Sequence, residues 1–161
     1  MRITWVLFLL LLNVCAASAQ LPAIQLKDIN GKSLNVSELT KKGNPVILSF
    51  FATWCKPCQR ELNTISEVYE DWQDETGVEL IAVSIDQGQD VAKVKPLVDG
   101  AGWDFTVLLD PGNDLKRAMG VTVIPHVFLL DGQGNIVSSH IGYTEGGDAV
   151  LIKEVRKLIN K

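Results

Sequence analysis

The chain has 161 residues, enough for one domain or for one domain with a short appendage. A composition of 47% hydrophobic and 21% charged residues belongs to a chain with a packed core and excludes a disordered one. With 15 Lys and Arg against 19 Asp and Glu, the formal charge of −4 lacks the footprint of a nucleic-acid binder or a basic membrane-surface helix.

Residues 1–19 read as a secretory signal peptide, leaving a domain over 20–161. Met1-Arg2 supplies a basic start, 3–12 is an apolar run in which Thr4 is the one polar residue, and Ala17-Ser18-Ala19 is a small-x-small cleavage site before Gln20. A permanent anchor is the alternative, but 3–19 offers only 17 positions, interrupted by Asn13 and Ser18, where about 20 are needed to span a bilayer. Acylation of Cys15 is a third reading, although Val14 before it is a poor match to lipoprotein signals. Cleavage predicts an extracytoplasmic or periplasmic protein, soluble or membrane-attached, in a compartment where disulfides persist. It also leaves Cys55 and Cys58 as the only cysteines.

Segments 24–29 and 32–36 flank Asn30-Gly31, which predicts a hairpin with a two-residue turn, and Ser37 looks like the cap of a short helical turn. The apolar run 46–51 predicts a strand buried on both faces. A long amphipathic helix is expected from 55 to 76, stopping at Gly77. A second buried strand follows at 79–85, then a helix at 90–98 despite Pro96, a strand at 105–109 and a short helix at 113–119. Strands at 127–130 and 136–141 form a hairpin around residues 131–135, and 149–159 is a closing helix. Strands alternating with helices, then a hairpin and a helix, predict a mixed α/β sheet covered by helices.

Trp54-Cys55-Lys56-Pro57-Cys58 sits between a buried strand and a helix start. Free N–H groups and the positive dipole end there stabilise a thiolate, and Pro57 is tolerated because a first-turn N–H has no partner to lose. The i, i+3 spacing keeps both sulfurs within disulfide reach, so one can attack a substrate disulfide and the other can resolve the mixed disulfide. Half a zinc site is disfavoured, since only His126 and His140 remain as nitrogen donors. A purely structural bridge is disfavoured too, because a loop this short removes little chain entropy.

At about 100° per residue, Cys58, Leu62, Ile65, Tyr69 and Trp72 form one apolar stripe with Cys55 at its edge. Cys55 is therefore the accessible, attacking thiol and Cys58 the sheltered, resolving one. Glu61 is the one acidic residue beside the stripe. Buried, its raised pKa would suit it to exchange protons with a thiol; at the rim it would be an ordinary solvated carboxylate. Ile124-Pro125 precedes an expected central strand, where a proline at the first strand position needs no cis bond.

Over residues 24–160 the chain resembles the TlpA/ResA-type thiol–disulfide oxidoreductases of the thioredoxin superfamily, through Phe50-Phe51-Ala52-Thr53-Trp54-Cys55-Lys56-Pro57-Cys58, Glu61-Leu62, Ile124-Pro125 and Val127-Phe128-Leu129-Leu130-Asp131. The resemblance implies a thioredoxin-like mixed sheet with an N-terminal hairpin and an insertion, here 87–119, after the second buried strand. It implies a cis Pro125 against the cysteine pair, a thiol-tuning Glu61, and a substrate groove formed by Trp54, Ile124, Pro125 and His126. It implies no cofactor or metal, a monomer, disulfide-containing protein substrates, and a reductase role such as keeping apocytochrome haem-attachment cysteines reduced. A membrane electron donor would then recharge the pair. Relatives commonly carry threonine where this chain has His126. That imidazole either titrates near the thiols or points away and satisfies a strand hydrogen bond. His140, among Ser138 and Ser139 on an expected exposed strand edge, has no assigned role. A copper chaperone using Cys55, Cys58 and His126, and a thiol peroxidase, are the competing functions.

Overall fold

The run Val46–Phe51 forms strand β3, and all six of its residues are buried, as a strand covered on both faces must be. In the computed structural model, which describes residues 21–160, β3 pairs parallel with β4 (Glu79–Ser84) and antiparallel with β6 (His126–Leu130). The expected signal peptide over 1–19, Cys15 within it, and the cleavage point before Gln20 lie outside the described residues. Strands β1 (Gln25–Asp28), β2 (Ser33–Asn35), β5 (Thr106–Leu109) and β7 (Ile136–Ile141) complete the sheet, which among the described residues runs β2-β1-β5-β4-β3-β6-β7. The expected mixed sheet is present, and the insertion contributes β5, on which the N-terminal hairpin pairs antiparallel. Among the described residues no helix is long and apolar enough to cross a membrane.

Three local expectations are corrected. The first hairpin has a three-residue loop, because Lys27 faces Ser33 and the Gly31 N–H donates to the Asp28 carbonyl at 3.0 Å. Gly31 takes φ 87°, the left-handed position that such a loop requires, and Asp28 Oδ1 accepts from the Asn30 and Lys32 N–H groups. Asn35, not Ser37, caps the following turn, its Oδ1 accepting the Ser37 N–H at 3.1 Å. The helix expected over 55–76 is two helices, α1 (Lys56–Ser66) and α2 (Tyr69–Thr76).

No proline or glycine marks that break. The ladder tightens where Val68, a β-branched residue of weak helix propensity, donates to Ile65 three residues back. Beyond the break, the Tyr69 hydroxyl accepts the Leu80 N–H at 2.9 Å, and its ring meets Phe105 edge-on at 5.9 Å. The stripe survives intact, since Cys58, Leu62, Ile65, Tyr69 and Trp72 are all buried. Pro96 is accommodated as the third residue of α3 (Val94–Ala101), inside the first turn where an N–H has no helical partner.

The register sorts side chains onto two faces. Directly opposed residues point to the same side, so Ser49, Val127 and His140 share one face, and Phe50, His126 and Ile141 share the other. Helix α1 covers the Ser49 face, shown by the Ser49 hydroxyl donating to Glu61. Helix α5 (Gly147–Ile159) covers it too, with Glu154 bonded to Ser138 and His140, and Arg156 paired through two 2.6 Å contacts to Glu75 of α2.

Candidate active site

Cys55 is the N-cap of α1, one residue ahead of the helix, and Pro57 lies in the first turn. Cys55 and Cys58 are disulfide-bonded with their Cα atoms 5.3 Å apart, and the Cys58 N–H donates to Cys55 Sγ at 3.3 Å. That N–H and the helix dipole act on Cys55 Sγ as the local sequence predicts, favouring a thiolate once the bond is reduced. Cys58 is wholly buried and Cys55 is 6% exposed, which preserves the expected order of access. Trp54 stands out at 62% exposure.

The Ile124–Pro125 bond is cis, as the resemblance implies and against the ordinary preference of an X–Pro bond. The Pro125 carbonyl accepts the Gly142 N–H at 2.8 Å, tying the start of β6 to the end of β7. Ile124 and Trp54 line one cleft of about 340 Å³, so both reach the same surface, and Trp54 adjoins Cys55 in the chain.

Glu61 is half-buried. It is packed between α1 and the sheet, where its Oε2 accepts from the Ser49 hydroxyl at 3.2 Å. Burial pushes its carboxyl up to about 7, against the downward pull of Ser49 and of His140. The residue thus sits where a carboxyl can gain or lose a proton near neutral pH. It borders a cavity of about 480 Å³ lined also by Thr64, Val127, His140, Tyr143 and Leu151, and neither cysteine is in that lining.

His126 does not make the strand hydrogen bond that one reading expected of it. Its ring is buried on the face away from Glu61 and stacks on Phe128, centroids 4.2 Å apart. Neither ring nitrogen has a hydrogen-bond partner among the described residues, so the imidazole satisfies no strand bond, and burial holds its pKa below the ordinary value. The cleft that Trp54 and Ile124 line includes neither Pro125 nor His126. Among the described residues no three His, Cys, Asp or Glu side chains are grouped as a metal set.

His140 is the reverse case. Expected to be idle on an edge, it faces α5, places Nε2 2.9 Å from Glu154, and shares the Glu61 cavity. Sequence reasoning also passed over Asp86, buried after β4 and bonded to Thr53, and Gln59, whose amide donates to the Thr53 carbonyl. Period-two alternation could have found Asp86, because Ser84 and Asp86 interrupt an otherwise apolar run at matching positions.

The AhpC/TSA family matches residues 17–139 of the chain. The thiol-disulfide oxidoreductase ResA of Bacillus thuringiensis is 38% identical over 121 residues, 75% of this chain and 67% of the relative. The ResA of Halalkalibacterium halodurans is 31% identical over 147 residues, 91% of this chain and 79% of the relative. The solution structure of a thioredoxin-like protein from Porphyromonas gingivalis superposes with a TM-score of 0.78 at 62% identity, covering 89% of this chain and 94% of that one.

Proposed function

Because this chain belongs to the AhpC/TSA family and is a thiol–disulfide oxidoreductase similar to ResA, we propose that it is an exported reductase of protein disulfides. The observation that carries the roles is Cys55 at the N-cap of α1, its sulfur receiving the Cys58 N–H. In the reduced protein the Cys55 thiolate attacks one sulfur of a substrate disulfide. A mixed disulfide forms and the second substrate sulfur leaves as a thiolate. Cys58, deprotonated by Glu61, then attacks Cys55 Sγ, which closes the Cys55–Cys58 disulfide and frees the other substrate sulfur. Two electrons pass from the pair to the substrate, so an electron donor must reduce Cys55–Cys58 again; we assign that duty to a membrane protein.

Trp54, Ile124 and Pro125 form the surface on which the substrate chain lies. Haem-attachment cysteines of apocytochromes are the substrate class, and the working form is a monomer released by cleavage after Ala19. Export is supported by the basic start, apolar run and small-x-small site of residues 1–19.

Cys55→Ser should abolish reduction of a protein disulfide, and Cys58→Ser should accumulate mixed disulfides on Cys55. A Cys58→Ser protein that still turns over as a dithiol overturns the roles. A reduction potential near about −270 mV supports reductase duty, whereas one near about −120 mV makes the protein an oxidant. Stoichiometric copper binding by the reduced protein, or peroxide consumption, would favour the competing functions.

A further inference from the structure

The segment that delivers Cys55 to its helix is packed into the core at Ala52 and Cys55 and held between them by hydrogen bonds. The Cys55 N–H donates to the Ala52 carbonyl at 3.0 Å, closing a turn over residues 52–55. Within the turn Thr53 is half-buried and Trp54 is exposed, so neither side chain anchors it in the core. Thr53 is gripped instead. Its N–H donates to both oxygens of Asp86, at 2.9 and 3.2 Å, and its hydroxyl donates to Asp86 Oδ1 at 2.7 Å. From the other side, the Gln59 side-chain amide donates to the Thr53 carbonyl at 2.5 Å.

Asp86 is itself immobilised. It is 1% exposed, its Oδ2 accepts the Ser84 hydroxyl at 2.8 Å, and its N–H donates to Ser84 Oγ at 3.2 Å. Ser84 ends β4, which is locked into the sheet beside β3 and β5. Such a carboxylate is costly to bury, and here every bond not made to β4 goes to one residue of the active-site turn. The chain of contacts therefore runs from the rigid sheet through Asp86 and Thr53 to Trp54 and Cys55.

We propose that Asp86 is a positioning residue for thiol–disulfide exchange, acting through Thr53 to hold Cys55 Sγ in line with an incoming disulfide, with Gln59 securing the far side of the turn. The inference rests on Cys55 being the attacking thiol. Displacement at sulfur is in-line, with the Cys55–substrate bond forming as the substrate S–S bond breaks opposite to it. Displacements of about 1 Å in such geometry are enough to cost roughly 100-fold in rate.

The test measures how fast pre-reduced Cys58→Ser protein forms a mixed disulfide with oxidised glutathione, expressed per folded molecule. Asp86→Ala should slow it roughly 10- to 100-fold. Thr53→Val, which loses only the hydroxyl bond, should slow it roughly 5-fold, and Thr53→Ser should restore the rate. A merely structural role would lower the folded fraction and leave the per-molecule rate alone. If Asp86→Ala does not fold, the Thr53→Val and Thr53→Ser pair decides. Unchanged rates in Asp86→Ala and Thr53→Val, or Thr53→Ser as slow as Thr53→Val, overturn the proposal and leave the roles of the cysteines untouched. Absence of any adduct on Cys55 in the Cys58→Ser protein overturns the nucleophile assignment, and this inference with it.

Discussion

Replacing Glu61 by Gln should stabilise the protein at pH 8 and leave it almost unchanged at pH 4. Burial lifts the carboxyl from 4.5 to about 7 in the folded chain. Between those values the folded state keeps a proton that the unfolded state has released. Stability of the parent protein therefore falls as pH rises from about 4.5 to about 7, and it levels off above. Raising a pKa by one is worth about 1.4 kcal/mol, so the full difference approaches about 3 kcal/mol. Because the carboxylate borders an open cavity, water relieves part of this, and about 2 kcal/mol is expected. The substituted amide stays neutral at every pH and can still accept from Ser49. Urea unfolding of both oxidised proteins across this pH range should give curves that meet in acid and diverge toward pH 8. Parallel curves would refute a proton-exchanging Glu61 of raised pKa. In the reduced proteins, Glu61→Gln should lower an apparent thiol pKa by removing a negative neighbour, and slow exchange by removing a proton acceptor. Superimposable thiolate titrations with equal rates would return Glu61 to a bystander.

Burial holds the His126 imidazole below its ordinary pKa, so the parent protein loses stability as pH falls below about 6.5 and the ring is forced to charge. His126→Phe removes that penalty and two unpartnered nitrogens, and should gain about 1 kcal/mol at pH 7 and more at pH 5; a variant melting lower at pH 5 would contradict this. A Cβ on Gly132 would collide with the Gly43 carbonyl oxygen, so Gly132→Ala should cost about 1–3 kcal/mol in denaturant unfolding, and a neutral result would mean that the β6–β7 turn yields freely. Trp54→Ala, at an exposed position, should change stability by less than about 0.5 kcal/mol. It should slow reduction of protein disulfides roughly 5-fold while sparing small disulfides, and equal loss on both would remove Trp54 from the substrate surface.

Most elements and the redox pair are written into the chain locally. Short, mostly apolar runs at 46–51 and 79–85 read as strands covered on both faces, and the stripe through Cys58, Leu62, Ile65, Tyr69 and Trp72 is legible because helical periodicity is a local property. Cysteines at i and i+3 ahead of such a stripe put both sulfurs at a helix start whatever the rest of the chain does. Periodicity is silent on what meets each face. It could not show that a half-buried Glu61 meets the sheet, because its partner Ser49 lies 12 positions away on β3. Nor could it place His126 and His140 on opposite sides of the sheet, which follows from the pairing of β6 with β3 and β7. The two-helix break at Val68 answers to Leu80 and Phe105, and the anchor of the active-site turn lies 33 residues from Thr53. A side chain's burial and partners are set by contacts between elements distant in sequence. Strand order and register, which exist only in the folded sheet, select which of those contacts form.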